Sequence, residues 1–154
     1  MKINIYTDGA AKGNPGPGGY GVVLMAGKHY KELSAGYRLT TNNRMELLAV
    51  IVGLEALKKL HQEVTVYSDS KYVVDAVEKG WVFNWEKKSF KAKKNQDLWK
   101  RFLKSFRVHQ VCFKWIKGHA GHPQNEKCDQ LAVAAAESIQ LSVDKEYESA
   151  LKID

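Results

Sequence analysis

Apolar and polar residues alternate at the start of the chain, where Ile3, Ile5 and Thr7 are separated by Asn4 and Tyr6. That period of two is the mark of a strand with one covered face. A turn-rich run from Gly9 to Gly19 leads into Tyr20 to Met25, and a third extended stretch covers Tyr30 to Leu39. Connections this short predict an antiparallel meander of three strands. The period then changes. From Asn43 to Leu60 the apolar residues Met45, Leu47, Leu48, Ala49, Ile51, Val52 and Leu54 crowd every side of a segment of helical length, so this helix is expected to be central and buried.

Beyond it, Val64 to Ser68 reads as a β-branched buried strand, Ser70 to Lys79 as a helix, and Asn95 to Ser105 as another. Val111 to Ile116 reads as a fifth strand and Asn125 to Ile139 as a last helix. Strands joined through helices run parallel. The expected architecture is an α/β domain with a mixed five-stranded sheet, three antiparallel strands then two parallel, flanked by helices. One domain over residues 1–140 is expected, with a polar tail over 141–154; Gln140 to Asp154 should be loosely ordered. No internal repeat, low-complexity tract or linker divides the chain.

Composition narrows the class. The 154 residues are 44% hydrophobic, enough for a real core. No stretch reaches the roughly 18 apolar residues of a membrane span, and the start of the chain has no signal-peptide pattern. A cytoplasmic protein with no membrane association is therefore expected. Cys112 and Cys128 are too few and too far apart for a disulfide framework or a thiolate zinc site.

The formal charge of +7 matters for where it lies. From Lys87 to Arg107 nine basic residues (Lys87, Lys88, Lys91, Lys93, Lys94, Lys100, Arg101, Lys104 and Arg107) face the single acid Asp97. The rest of the chain holds 15 basic and 16 acidic residues. A positive excess gathered into one stretch points to a polyanionic partner, against the alternative of a solvated lysine-rich surface.

The acids carry the chemistry. Asp8 follows the first strand and Asp69 the fourth, so two carboxylates project from the C-terminal ends of strands that could be neighbours, the end where open α/β sheets bind ligands. Glu46 lies in the first turn of the central helix and Asp129 in the first turns of the last. Four carboxylates without a thiolate or His cluster suit Mg²⁺ or Mn²⁺ rather than Zn²⁺. Each acid also has a plain structural reading. Asp8-Gly9 fits a turn, Asp69 with Ser70 a helix N-cap, Asn43 with Glu46 a capping box, and Asp129 a surface acid favoured by the helix dipole.

Five strings in order settle the choice by resemblance: Tyr6-Thr7-Asp8-Gly9, Gly13-Asn14-Pro15-Gly16-Pro17-Gly18-Gly19, Thr40-Thr41-Asn42-Asn43-Arg44-Met45-Glu46-Leu47, Ser68-Asp69-Ser70, and Trp115-Ile116-Lys117-Gly118-His119-Ala120-Gly121-His122. Together they closely resemble the bacterial ribonuclease HI family, collinearly from Ile3 to about Ala136. The resemblance implies the ribonuclease H-like fold and an endonuclease that hydrolyses the RNA strand of RNA/DNA hybrids. It makes Asp8, Glu46, Asp69 and Asp129 the metal-binding carboxylates and His119 an auxiliary catalytic residue. Because nothing precedes Met1, the short bacterial form without a separate hybrid-binding domain is expected.

The chemistry implied is phosphodiester hydrolysis with two Mg²⁺ ions, Mn²⁺ being a substitute, roughly 4 Å apart. Asp8 would lie between them, with Asp69 and Asp129 on one and Glu46 on the other, and the products would carry 5′-phosphate and 3′-hydroxyl ends. Telling RNA from DNA requires reading the 2′-hydroxyl across a shallow minor groove. Asn14, Asn42, Asn43 and Arg44 are the candidates. On the DNA side the resemblance implies Thr41 and Asn95 at a phosphate, with Tyr72, Trp81 and Trp85 along the channel. The Gly-rich loop could instead be a tight turn, Trp81 part of a hydrophobic cluster, and His119 a surface residue no different from His122. An inert duplex-binding module and a DNA-cutting resolvase or transposase core are the rival classes; the four acids oppose the first, and the Asn-Asn-Arg-Met-Glu string and Lys-Gly-His loop oppose the second. A monomer without an obligate protein partner is expected.

Overall fold

The computed structural model describes residues 2–118 and 121–151. Its five strands are β1 (Lys2–Ala11), β2 (Gly16–Ala26), β3 (His29–Thr40), β4 (Glu63–Ser68) and β5 (Gln110–Trp115). They form one sheet in the order β3-β2-β1-β4-β5. β1, β2 and β3 pair antiparallel, while β4 pairs parallel with both β1 and β5. The expected mixed sheet is therefore present, with the first and fourth strands adjacent.

The helices are α1 (Asn42–Glu55), α2 (Lys71–Glu78), α3 (Trp81–Lys87), α4 (Gln96–Phe106), α5 (Pro123–Ala136) and α6 (Lys145–Leu151). Among the described residues, no helix is long and apolar enough to cross a membrane. α1 is as central as its sequence implies, with every residue from Arg44 to Ile51 buried, and Leu54 too. Ile3, Ile5, Val22 and Leu24 of the sheet join it in the core, as do Trp99 and Phe102 of α4. Fully burying one such side chain contributes about 1.5–3 kcal/mol, so this packing anchors the fold.

The opposite face is thinner and built from small residues. Adding a Cβ at Gly21 would place it 2.2 Å from the Cys128 carbonyl oxygen, and at Gly36 2.1 Å from that of Ala135. Bare backbone at these positions lets α5 lie directly on β2 and β3, with its own Cys128, Ala132 and Ala136 buried.

Three expectations need correction. α1 ends at Glu55 rather than Leu60. The Ala56 amide still donates to Val52, but the Leu57 amide donates to Leu54, a tightened last turn, and His61 then takes a left-handed φ of 59° that turns the chain into β4. β1 and β2 run on through the glycine-rich stretch to Ala11 and from Gly16, because the hairpin ladder tolerates Gly where the opposing helix leaves no room for a side chain.

The third correction concerns the end of the chain, which is not loosely ordered over its described residues. Ser142 bridges to Tyr37 on the edge strand β3, α6 follows, and Asp144 is buried. A polar segment is held here because it covers a sheet edge and delivers a carboxylate to a buried arginine. α3 carries both Trp81 and Trp85, just ahead of the basic stretch.

Candidate active site

Asp8 and Asp69 lie just past the last paired residues of the adjacent strands β1 and β4, Tyr6 and Tyr67. Asp8 sits opposite Gly21 in the ladder, so its side chain shares the face on which α5 packs. Glu46 arrives from the first turns of α1. A Cβ on Gly9 would lie 2.4 Å from the Glu46 amide nitrogen, so only glycine lets β1 pass this close to the helix. Among the described residues, Asp8, Glu46 and Asp69 can bring ligand oxygens within 4.8 Å of one another. The half-buried Asp129 of α5 lies near enough to Asp8 to act on it by charge and hydrogen bond.

The plain readings of these acids lose their footing. The N-cap of α1 is Thr41, whose hydroxyl accepts from the Arg44 amide, so Asn43 and Glu46 do not form a capping box. The cap of α2 is Ser70, whose hydroxyl accepts from the Val73 amide, so Asp69 is not needed there. Asp8 accepts a hydrogen bond from the neighbouring Gly9 amide, but Gly9 is inside a strand rather than a turn. Three acids are thus left without a structural task.

Their electrostatics are costly. Burial pushes the Asp8 carboxyl up to about 8, the charges of Asp69 and Asp129 add to the rise, and a hydrogen bond with Glu46 opposes it. Burial and then the charges of Asp8 and Asp69 hold Glu46 well above the usual carboxylate range. Among the described residues, Glu46 Oε1 is buried without a hydrogen-bond partner. Such a cluster is stable only with protons or cations among the carboxylates, and an all-oxygen donor set fits a hard divalent cation. Cys128 contributes nothing here, because burial pushes its thiol up to about 12.

His119 lies outside the described residues. The chain that leads up to it approaches the acids: a Cβ on Gly118 would come 2.8 Å from Asp69 Oδ2, and the exposed Trp115 donates from its indole to the Asp69 carbonyl oxygen. Neither Trp115 nor Gly118 was singled out from the sequence for this role, although both stand in the string that contains His119.

Asn14, Asn42 and Asn43 are exposed beside the head of α1. Asn14 Oδ1 accepts from the Asn42 amide at 3.1 Å, which ties the glycine-rich loop to the helix. Arg44 does not join them at the surface. Its side chain is 4% exposed, and all five guanidinium N–H groups donate to Asp97, Asp144 and Asn95. An arginine with no spare side-chain donor is not offered to substrate as the three asparagines are, so its expected part in substrate binding would be played through the residues it holds.

On the other side of the site, Tyr72 accepts from Asn95 Nδ2 and from the Trp99 indole. Trp81 and Trp85 stand one turn apart on α3. Trp81 is 43% exposed, while Trp85 packs edge-on against the buried Trp99, so the cluster expected as an alternative for Trp81 is occupied by Trp85. Both tryptophans line a groove of about 190 Å³ with Asn84, Lys88, Lys91 and Lys93, and the Lys93 ammonium lies 5.1 Å from the Trp85 ring centre. The basic stretch is less uniform than its sequence. Arg101 is paired with Glu55 and Arg107 with Glu86, and the lysine-rich loop is pinned by the buried Phe90.

The family model for RNase H matches residues 1–137. A ribonuclease H of Desulforamulus reducens is 59% identical over 148 residues, covering 93% of this chain and 92% of that protein. One of Trichodesmium erythraeum is 53% identical over 152 residues, covering 96% of each. Among solved structures, LC9-RNase H1, described as a type 1 RNase H with the type 2 active-site motif, superposes with a TM-score of 0.81 at 32% identity, covering 99% of this chain and 81% of that one. LC11-RNase H1 in complex with RNA/DNA hybrid gives 0.66 at 31% identity, covering 88% and 96%.

Proposed function

This chain belongs to the ribonuclease H family, and on that premise we propose that it is an endonuclease that hydrolyses the RNA strand of an RNA/DNA hybrid, leaving 5′-phosphate and 3′-hydroxyl ends. The observation that carries the reading is the meeting of Asp8, Glu46 and Asp69 within 4.8 Å, at the end of the sheet where α/β folds bind ligands. A relative of the same fold is described in complex with such a hybrid, which supports the choice of substrate.

The donor set fits two Mg²⁺ ions, or Mn²⁺ in their place. Asp8 would serve both, Asp69 and Asp129 one, and Glu46 the other. When bound, such ions supply a nucleophilic water at neutral pH and neutralise the charge that builds on the phosphate. The chain does the rest. Asn14, Asn42 and Asn43 offer amide groups to the 2′-hydroxyls of the RNA strand, and Asn14 keeps the loop in register with the helix. Thr41 and Asn95 hold a phosphate of the DNA strand, while Tyr72, Trp81 and Trp85 give that strand an aromatic wall beside the lysines.

The reading is tested by offering the protein, with Mg²⁺, end-labelled RNA/DNA hybrid, double-stranded DNA, double-stranded RNA and single strands. Cleavage of the RNA strand of the hybrid alone is expected. Cleavage of double-stranded DNA would place the chain among DNA-cutting relatives of the fold, and binding without cleavage would make it an inert module.

Two further outcomes follow from the same assignment. Replacing Lys91, Lys93 and Lys94 with Ala should raise KM far more than it lowers kcat, and the slope of log K against log salt should flatten by roughly 0.7–0.9 for each phosphate left without its lysine; an unchanged slope would show that these lysines do not meet the duplex. An imidazole can both accept and donate a proton. His119→Ala should therefore lower kcat by about 10²-fold or somewhat less, with KM and Mg²⁺ dependence nearly unchanged. His122→Ala should do much less, and equal activity of the two variants would remove His119 from the reaction.

A further inference from the structure

One arginine joins the head of α1 to the end of the chain. Arg44 donates from Nε and Nη2 to Asp144 (2.8 and 2.9 Å), and from Nη1 and Nη2 to Asp97 (2.9 and 2.7 Å). Nη1 also donates to Asn95 Oδ1 at 3.2 Å. A planar guanidinium satisfied on every N–H has one orientation. Asn95 passes that orientation on, because its Nδ2 donates to the Tyr72 hydroxyl at 2.9 Å. The Arg44 amide meanwhile donates to the Thr41 hydroxyl at 3.2 Å. Thr41, Asn95 and Tyr72 thus all connect to the same residue.

Asp144 is itself held in place by its own segment. It accepts from the Thr40 hydroxyl at 2.8 Å, and its carbonyl oxygen accepts from the Glu148 amide. Two residues earlier, Ser142 exchanges backbone hydrogen bonds with Gly36 and Arg38. At the far side, Arg38 donates to both carboxylate oxygens of Glu148 at 2.9 Å.

We propose that residues 142–151 are a working part of the duplex-binding surface, with Asp144 a positioning residue that acts through Arg44 to set Asn95 and Thr41 against a DNA phosphate. The inference rests on the reading of those two residues given above. Without Asp144, Arg44 is deprived of two of its five acceptors, and buried donors left unpaired seek others. Asn95, in the left-handed region with φ 64° and making no cap bond of its own, then keeps the Tyr72 hydroxyl but has no fixed donor to its Oδ1. Charge runs the other way. Arg44 with Asp97 and Asp144 carries a formal −1, so neutralising Asp144 by itself would favour a nearby phosphate, whereas impaired positioning disfavours it. The sign of the effect separates the two.

The test is Asp144→Asn in the full chain, with kcat, KM and affinity measured on hybrids carrying a single neutral methylphosphonate at successive DNA positions. Wild-type protein is expected to lose about tenfold in affinity when one particular phosphate is neutralised, as for removal of a charge-assisted hydrogen bond. Asp144→Asn is expected to raise KM about five- to tenfold with kcat within about twofold, and to make the same methylphosphonate nearly costless. Glu148→Ala, which breaks the pair with Arg38 and loosens the same segment while, like Asp144→Asn, deleting a negative charge, should act in the same direction and keeps the test decisive should Asp144→Asn not fold. Unchanged or tighter binding by these variants, or a full penalty at that phosphate in them, overturns the proposal. If wild-type protein has no sensitive DNA phosphate, the phosphate site itself is wrong and this inference falls with it.

Discussion

Asp8→Asn is expected to reduce turnover by about a thousandfold or more and at the same time to make the metal-free protein more stable at neutral pH. The first effect follows from removing the carboxylate proposed to serve both cations. The second follows from linkage. Burial, with the charges of Asp69 and Asp129, raises the folded Asp8 carboxyl from an ordinary value of 3.8 to about 8. A group whose pKa is raised on folding contributes stability that is fully present below the unfolded value and is lost as pH rises through the folded one. Metal-free wild-type protein should therefore lose stability between about pH 4 and pH 8, and Asp8→Asn should lose less, because the buried Glu46 remains raised but is relieved of the Asp8 charge. At pH 8 the variant is expected to be more stable by about 2 kcal/mol or more, a rise in melting temperature of about 4–8 °C for a chain of this length. Thermal melts of both proteins across that pH range, without and with Mg²⁺, check this; added Mg²⁺ should narrow the gap by stabilising the wild type more. A variant less stable than wild type at pH 8 would make Asp8 a structural acid.

The second large effect is expected at a residue with no functional group. Gly21→Ala places a methyl group 2.2 Å from the Cys128 carbonyl oxygen and 2.8 Å from the Leu131 Cβ. Neither is the tip of a flexible side chain, so α5 must shift away from the sheet, carrying Asp129 with it. Overpacking of this kind costs about 1–3 kcal/mol, and displacing a reacting-site group by an ångström costs about 10²-fold in rate. Loss of stability should therefore be accompanied by a fall in kcat of that order. Gly53→Ala is the control. Its added Cβ meets the Ile5 and Val22 side chains, about two turns along α1 from Glu46, and should lower stability while sparing kcat. Denaturant unfolding paired with single-turnover rates distinguishes the cases; full activity in Gly21→Ala would break the link between α5 packing and the site.

What was legible in the sequence had a local pattern. The strand-end acids Asp8 and Asp69 could be placed because period-2 alternation marks where β1 and β4 end, whereas the adjacency of those strands was open in the sequence and is given by the sheet order. α1 stood out through its all-round apolar face. What was not legible depends on meetings between distant residues. Arg44 belongs to a string rich in surface amides, and only its burial against Asp97 and Asp144, 53 and 100 residues further along, shows that its side-chain donors are taken within the protein. Asp144 lies in a segment too polar to resemble a folded element, and a single buried ion pair leaves no periodic trace. Gly21 was legible as part of β2, but its reason for being glycine appears only when α5 is laid over it. The basic stretch was legible as a run of charge, while the withdrawal of Arg101 and Arg107 into ion pairs depends on Glu55 and Glu86 meeting them in space.

The central claim is that the acid cluster holds divalent cations with which the protein cuts the RNA strand of a hybrid. Its most direct test is single-turnover cleavage of one hybrid, labelled on both strands, across a Mg²⁺ titration, with wild-type and Asp8→Asn protein side by side and the product ends identified. The expected result is RNA-strand cleavage that appears with Mg²⁺, vanishes with chelator, leaves 5′-phosphate and 3′-hydroxyl ends, and is absent in Asp8→Asn. Cleavage that persists in chelator, or that survives at wild-type rate in Asp8→Asn, would contradict it.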